Sequence, residues 1–175
     1  MDTRRESEPT LMKNPTTTER TSDRELVVTR TINGPARIVF EAWTRPELFK
    51  RWWVPKSTGM SLLSCEADVR VGGTYRLVFR HDAFPEPMAF FGKYLDVTPH
   101  SRLAWTNEEG EGGGQQVTTV TFEERGAETS VVVHDLYPSK EALDGAIASG
   151  STGGFSEQFE QLDQLLVTLD ASVGS

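Results

Sequence analysis

A single segment near the C-terminus has to cover whatever sheet this chain builds. Phe155, Phe159, Leu162, Leu166 and Leu169 recur at steps of four, three, four and three, which aligns them along one face of a helix. Glu157, Glu160, Gln161, Asp163 and Gln164 fall on the other side and are expected to face water. No other helix-like stretch is long enough to lie across a sheet. One covering helix with many strands points to an α+β fold whose sheet buries one face under that helix.

The strands show as β-branched and aromatic runs between turn residues. Glu25–Ile32 (ELVVTRTI) reads as the first, and Met60–Val69, Thr74–His81, Ala89–Val97, Arg102–Asn107, Val117–Glu123 and Thr129–Asp135 follow. Gly72-Gly73, Pro85 to Pro87, Pro99 to Ser101, Gly110 to Gly114 and Arg125 to Ala127 separate them with turn chemistry. Connections this short favour an antiparallel meander, so the expectation is a seven-stranded antiparallel sheet.

Between the first two strands, Asn33-Gly34-Pro35 stops the chain and Pro35 sits well for a helix start. Ile38, Val39, Ala42 and Trp43 mark the apolar face of a short helix, Pro46 opens a second one, and Pro55 ends it. This stretch holds Trp43, Trp52 and Trp53, three of the chain's four tryptophans. So dense a cluster builds a core corner or a cavity wall. Further on, Ser139 is placed to cap a short helix over Lys140–Ala148, and the Gly- and Ser-rich run 149–154 breaks the chain again.

Residues 1–24 contain only Leu11 and Met12 as large apolar side chains, and read as a disordered tail in which Met12 is an alternative start. The domain is expected over 25–169, with a second disordered tail over 170–175. The net charge of −8 argues against a phosphate-backbone partner and against an anionic membrane surface. Cys65 is the only cysteine, which excludes an intrachain disulfide and a cysteine-based metal site. No run approaches the roughly eighteen apolar residues of a membrane span. These features suit a cytoplasmic protein with no metal and no cofactor, acting as a monomer or homodimer.

Four ordered motifs carry a family resemblance. They are VFEAWTRPELFKRWWVP over Val39–Pro55, Asp68 to Gly73 followed by Tyr75, Gly92-Lys93-Tyr94-Leu95-Asp96 with Pro99, and Gly154-Phe155 with Phe159, Leu162 and Leu165. In this order and at these separations the chain resembles the START-like (SRPBCC) helix-grip superfamily, and within it proteins similar to the C-terminal domain of the activator of heat-shock protein 90 ATPase. The resemblance spans about residues 25–169. It implies a curved sheet gripping the long C-terminal helix, with a hydrophobic or amphipathic small molecule bound between them. Many such proteins carry Trp where this chain has Phe155, so the pocket is expected to differ there. No shared catalytic set comes with the resemblance.

Period-two alternation assigns the inner face. Tyr75, Leu77 and Phe79 share one side of their strand. Trp105 with Leu103, Phe122 with Val120, and Val133 with Val131 follow suit. For the strand with apolar residues on both faces, the resemblance and the close approach that Gly92 implies favour Phe90, Gly92, Tyr94 and Asp96 inward over Phe91, Leu95 and Val97. The candidate ligand-binding set is therefore Trp53, Tyr75, Leu77, Phe79, Phe90, Tyr94, Trp105, Phe122, Val133, Asp135, Phe155 and Phe159. An inward aromatic face also suits a plain packed core, and empty apolar room costs about 24 cal/mol per Å³.

Catalytic signals are sparse. His81 and His100 fall in turns. His134 and Asp135 are adjacent on a strand, point to opposite faces, and so do not form a base with its orienting carboxylate. No metal spacing, nucleophile elbow or phosphate loop is present in the sequence. The expectation is non-covalent binding of a small hydrophobic or aromatic ligand. Two alternatives stand beside it. One is a co-chaperone-like interaction module with a chaperone partner. The other is a cyclase, dehydratase or hydrolase acting on a polyketide-like or aromatic substrate through Asp96, Asp135 or His134.

Overall fold

The computed structural model describes residues 15–83, 85–107, 116–148 and 155–173. In chain order the elements are β1 (Thr17–Arg20), β2 (Glu25–Ile32), α1 (Ala36–Thr44), α2 (Pro46–Phe49), a single 3-10 turn (Lys56–Thr58), β3 (Met60–Ala67), β4 (Thr74–His81), β5 (Met88–Thr98), β6 (Arg102–Asn107), β7 (Gln116–Arg125), β8 (Glu128–Leu136), α3 (Lys140–Ala148) and α4 (Phe155–Val173). One antiparallel sheet runs in the order β1-β2-β8-β7-β6-β5-β4-β3. The meander β3 to β8 is sequential, and β2 joins it by pairing with β8, Val28 opposite Val133.

The sheet has eight strands where the sequence suggests seven. The additional strand is β1, within the segment read as a disordered tail, and it pairs with β2 from Thr17 opposite Thr29 to Arg20 opposite Leu26. All four of its residues are exposed, so it carries no apolar alternation to betray it. It is a polar edge strand, with Arg20 tied to Asp144 of α3 at 2.8 Å. At the other end α4 continues through 170–173, past the expected domain end, because nothing in Asp170-Ala171-Ser172-Val173 breaks a helix. The expectations for residues 1–14, for the hairpin tip 108–115, for 149–154 and for 174–175 lie outside the described residues.

The short helices follow their sequence signals. Pro35 precedes α1, whose Ala36 N–H is capped from a distance by Glu124 Oε1 at 2.8 Å. Pro46 stands at the first position of α2. Ser139 Oγ accepts from Ala142 N–H at 3.0 Å and caps α3.

The core lies between α1, α4 and the inner face of β2, β8, β7 and β6. Leu26, Val28, Ile32, Val39, Trp52, Val120, Val131, Phe159 and Leu162 are all essentially closed to solvent within it. Trp52 is fixed there by Nε1–H donating to Ala42 O at 2.9 Å. The side of α4 assigned to water is wetter in expectation than in fact. Gln161 is buried and donates to Trp52 O and Val54 O, each at 2.9 Å, while its Oε1 accepts from Lys56 N. Glu157 accepts from Ser57, and Asp163 accepts from the buried Arg30 at 2.9 Å and from Asn33 N. These polar groups grip the backbone beside the tryptophan cluster, a role that helical periodicity alone does not display.

Candidate functional site

The site is a row of the sheet. Antiparallel register sets Tyr94 opposite Trp105, Trp105 opposite Thr118, Thr118 opposite Asp135, and Asp135 opposite Leu26. Cross-strand partners share a face, so these side chains stand shoulder to shoulder across five strands. Gly92 permits the tight crossing beside this row. A Cβ there would lie 1.9 Å from Thr106 O, so any larger residue would push β5 off β6.

Two chambers open on this row, the first with about 100 Å³ of room and the second with about 200 Å³. The first is walled by Phe49, Cys65, Ala67, Tyr75, Leu77, Phe90 and Tyr94, with Thr44 and Pro46 at α1 and α2. The second is walled by Gln116, Thr118, Val133, Asp135, Tyr137 and Phe155. Trp43, Trp53, Trp105 and Asn107 belong to both and form the partition. Trp43 is the hub of that wall, with ring centroids 4.9 Å from Trp52, 5.8 Å from Trp53 and 5.9 Å from Trp105.

Hydrogen bonds thread the partition. Tyr75 OH donates to Thr106 O at 2.7 Å and lies 2.9 Å from Asn107 Oδ1. Asn107 Nδ2 donates to Thr118 Oγ1 at 3.2 Å, and Thr118 Oγ1 donates to Asp135 Oδ1 at 2.6 Å. A polar chain thus runs from a phenol in the first chamber to a carboxyl in the second. Asp135 is 4% exposed. Burial pushes its carboxyl above the ordinary range, against the pull of hydrogen bonds from Thr118 and Gln116. Burial also raises Tyr94, raises the Cys65 thiol, and pushes Tyr137 up to about 12. The Trp43 Nε1–H is buried and has no acceptor among the described residues.

Of the residues singled out from the sequence, Tyr75, Leu77, Phe90 and Tyr94 line the first chamber, Val133, Asp135 and Phe155 the second, and Trp53 and Trp105 both. Phe79, Phe122 and Phe159 face inward but stand elsewhere. Phe122 and Phe159 pack in the main core around Trp43, and Phe79 packs on Phe90 at 5.1 Å. Alternation finds a face and is blind to what presses on it.

Asp96 departs from the expected inward set. The β5–β6 register slips between Tyr94 and Asp96, so alternation resets there. Asp96 pairs with Arg102 at 3.0 Å, and Val97 packs on the core in its place. Phe91 and Leu95 are exposed, as the Phe90–Gly92–Tyr94 choice requires. His134 Nε2 meets Glu25 Oε2 at 2.9 Å, away from Asp135. Asp96, Asp135 and His134 therefore do not converge, and no acid–base pair forms among these three. His81 Nδ1 accepts from Ala83 N, and His100 lies edge-on to Phe40. Among the described residues no cluster of three or more His, Cys, Asp or Glu is placed to hold a metal.

Sequence reasoning missed Asn107, Gln116, Thr118 and Tyr137. The signal was available, because Asn107 follows Trp105 by two and Tyr137 follows Asp135 by two. Polar residues on an inner face are as telling as aromatic ones.

Residues 33–167 match the model of the family described as activator of Hsp90 ATPase homolog 1-like protein. The chain belongs to this family. Its fold is shared with a protein from Nitrosomonas europaea (23% identity, TM-score 0.76, covering 87% of this chain and 99% of that one). A protein from Rhodobacter sphaeroides is similar at 20% identity and TM-score 0.80, covering 89% of this chain and 99% of its own. One from Staphylococcus epidermidis aligns at 24% identity and TM-score 0.73, over 87% and 94% of the two chains. No curated protein matches the sequence. The helix-grip architecture of this family member is compatible with ligand binding. No helix of the described residues is long and apolar enough to cross a membrane.

Proposed function

We propose that this domain binds a hydrophobic or amphipathic small molecule non-covalently between the sheet and its helices. The observation that carries the reading is the first chamber. It is an open space of about 100 Å³ beside a packed core, walled by aromatic and aliphatic side chains with a few placed polar groups. Apolar room is costly to keep empty, so its persistence favours an occupant. The acidic chain and its lone half-buried cysteine suit a cytoplasmic setting and a small-molecule partner.

Native mass spectrometry of gently purified protein should show a retained small molecule, and calorimetry should show uptake of apolar ring compounds. Ala67→Phe, which fills the first chamber, should abolish that uptake while the fold persists. Absence of both a retained and an added ligand overturns the reading.

A further inference from the structure

The two chambers differ in chemistry in a way that selects the ligand's head group. The first is apolar apart from Tyr75, Tyr94, Cys65, Thr44 and the shared Asn107. The second collects Asp135, Thr118, Gln116 and Tyr137. Neither lining contains a lysine, arginine or histidine among the described residues. An anionic head in the second chamber would therefore meet a buried carboxyl with no cation to offset it, where desolvation is expensive. The chain's net charge of −8 adds a long-range field of the same sign.

The partition supplies the complementary half of the specification. Trp43 is 4% exposed, walls both chambers, and its Nε1–H has no acceptor among the described residues. Buried N–H groups are nearly always paired, so an orphan donor at a chamber wall calls for an oxygen lone pair from the occupant. On the far side the carboxyl of Asp135, which lines the second chamber, is held by hydrogen bonds from Thr118 and Gln116. A head that only donates, such as an ammonium, leaves Trp43 unmet, and a head that only accepts as an anion is repelled. A hydroxyl does both jobs without charge.

Resting on the binding function proposed above, we propose that the two chambers form one bipartite site for a hydroxyl-bearing aromatic or alicyclic compound. Its ring body lies in the first chamber, its uncharged hydroxyl reaches the Trp43 and Asp135 side, and carboxylate-headed analogues are rejected. No bond is made or broken.

The test uses three probes with one ring body: naphthalene, 2-naphthol and 2-naphthoate, titrated calorimetrically into the full chain at neutral pH. The wild type should bind 2-naphthol about tenfold more tightly than 2-naphthoate, the ratio worth one hydrogen-bonded group. In Asp135→Asn, which keeps the side chain's shape and its acceptor for Thr118, the ratio should fall to about threefold or less because the carboxylate is readmitted. Equal or tighter binding of 2-naphthoate by the wild type overturns the inference and leaves the binding function standing. So does an unchanged ratio in the variant. If none of the three probes binds, the binding function falls and the inference falls with it. Should the variant fail to fold, the wild-type ratio decides alone.

Discussion

The two halves of the sheet obey the same alternation and end up doing different work. Over β2, β8 and β7 the inner face meets α1 and α4, and Val28, Val120, Val131 and Leu162 close to solvent completely. Over β3, β4 and β5 the inner face is equally apolar, with Tyr75, Leu77, Phe79 and Tyr94 forming a cluster of their own. Among the described residues the cover there is the single turn α2, Trp53 and the Trp43–Thr44 end of α1, and space remains. The inward pattern is therefore a statement about which side chains leave water. Whether they then touch one another depends on how far a 19-residue helix reaches, roughly 28 Å, and where its polar grips anchor it.

That contrast can be broken by matched truncations. Phe159→Ala, in the filled half, should cost about 4 kcal/mol of unfolding free energy, whereas Phe90→Ala, beside the chamber, should cost about 1 kcal/mol in the same urea titration. Equal losses would mean that both halves are packed alike. Next in size is the grip that sets where α4 lies. Asp163→Ala strands Arg30, which is 2% exposed, and should cost about 3 kcal/mol while leaving uptake of apolar probes nearly intact. Trp52→Phe removes the donor to Ala42 O and should cost about 2 kcal/mol, again without emptying the chamber.

The smallest effect is a slope. The raised carboxyl of Asp135 keeps its proton in the native state above about pH 4, where the unfolded chain has released it. The native state then binds more protons, so stability falls as pH rises from there through the raised value. Asp135→Asn should flatten that part of the stability profile, read as the difference in urea midpoints between the two proteins across the window. A steeper decline in the variant would refute the assignment.

How much of this was legible depends on the kind of signal. The C-terminal stripe, the prolines bounding α1 and α2, and Ser139 as a cap were plain because each is a local rule acting on its own neighbours. Strand β1 was invisible because TTER has no apolar period and is held by pairing with β2 and by the Arg20–Asp144 ion pair, both non-local to its own pattern. Asp96 was misplaced because the register slip beside Tyr94 is a property of two strands together. Gln161 and Asp163 were read as wet because their partners, the backbone at Trp52 and Val54 and the guanidinium of Arg30, lie more than a hundred residues away in sequence. The chambers belong to the same class, being spaces between elements that no single element encodes. The inward alternation still named much of their lining, Tyr75, Tyr94, Trp105 and Asp135 among it, because which face leaves water is a local property of each strand.

The partition has an optical consequence. Every tryptophan in the chain lies in it or against it, each within 6 Å, ring to ring, of Trp43. Indoles so close exchange excitation faster than they emit, so the four behave as one chromophore seated between the chambers. A molecule that settles against any one of them dims or shifts the emission of the whole set. The protein's own fluorescence is thus reported almost entirely from the wall of its candidate site, with no label to attach and no other tryptophan to dilute the signal.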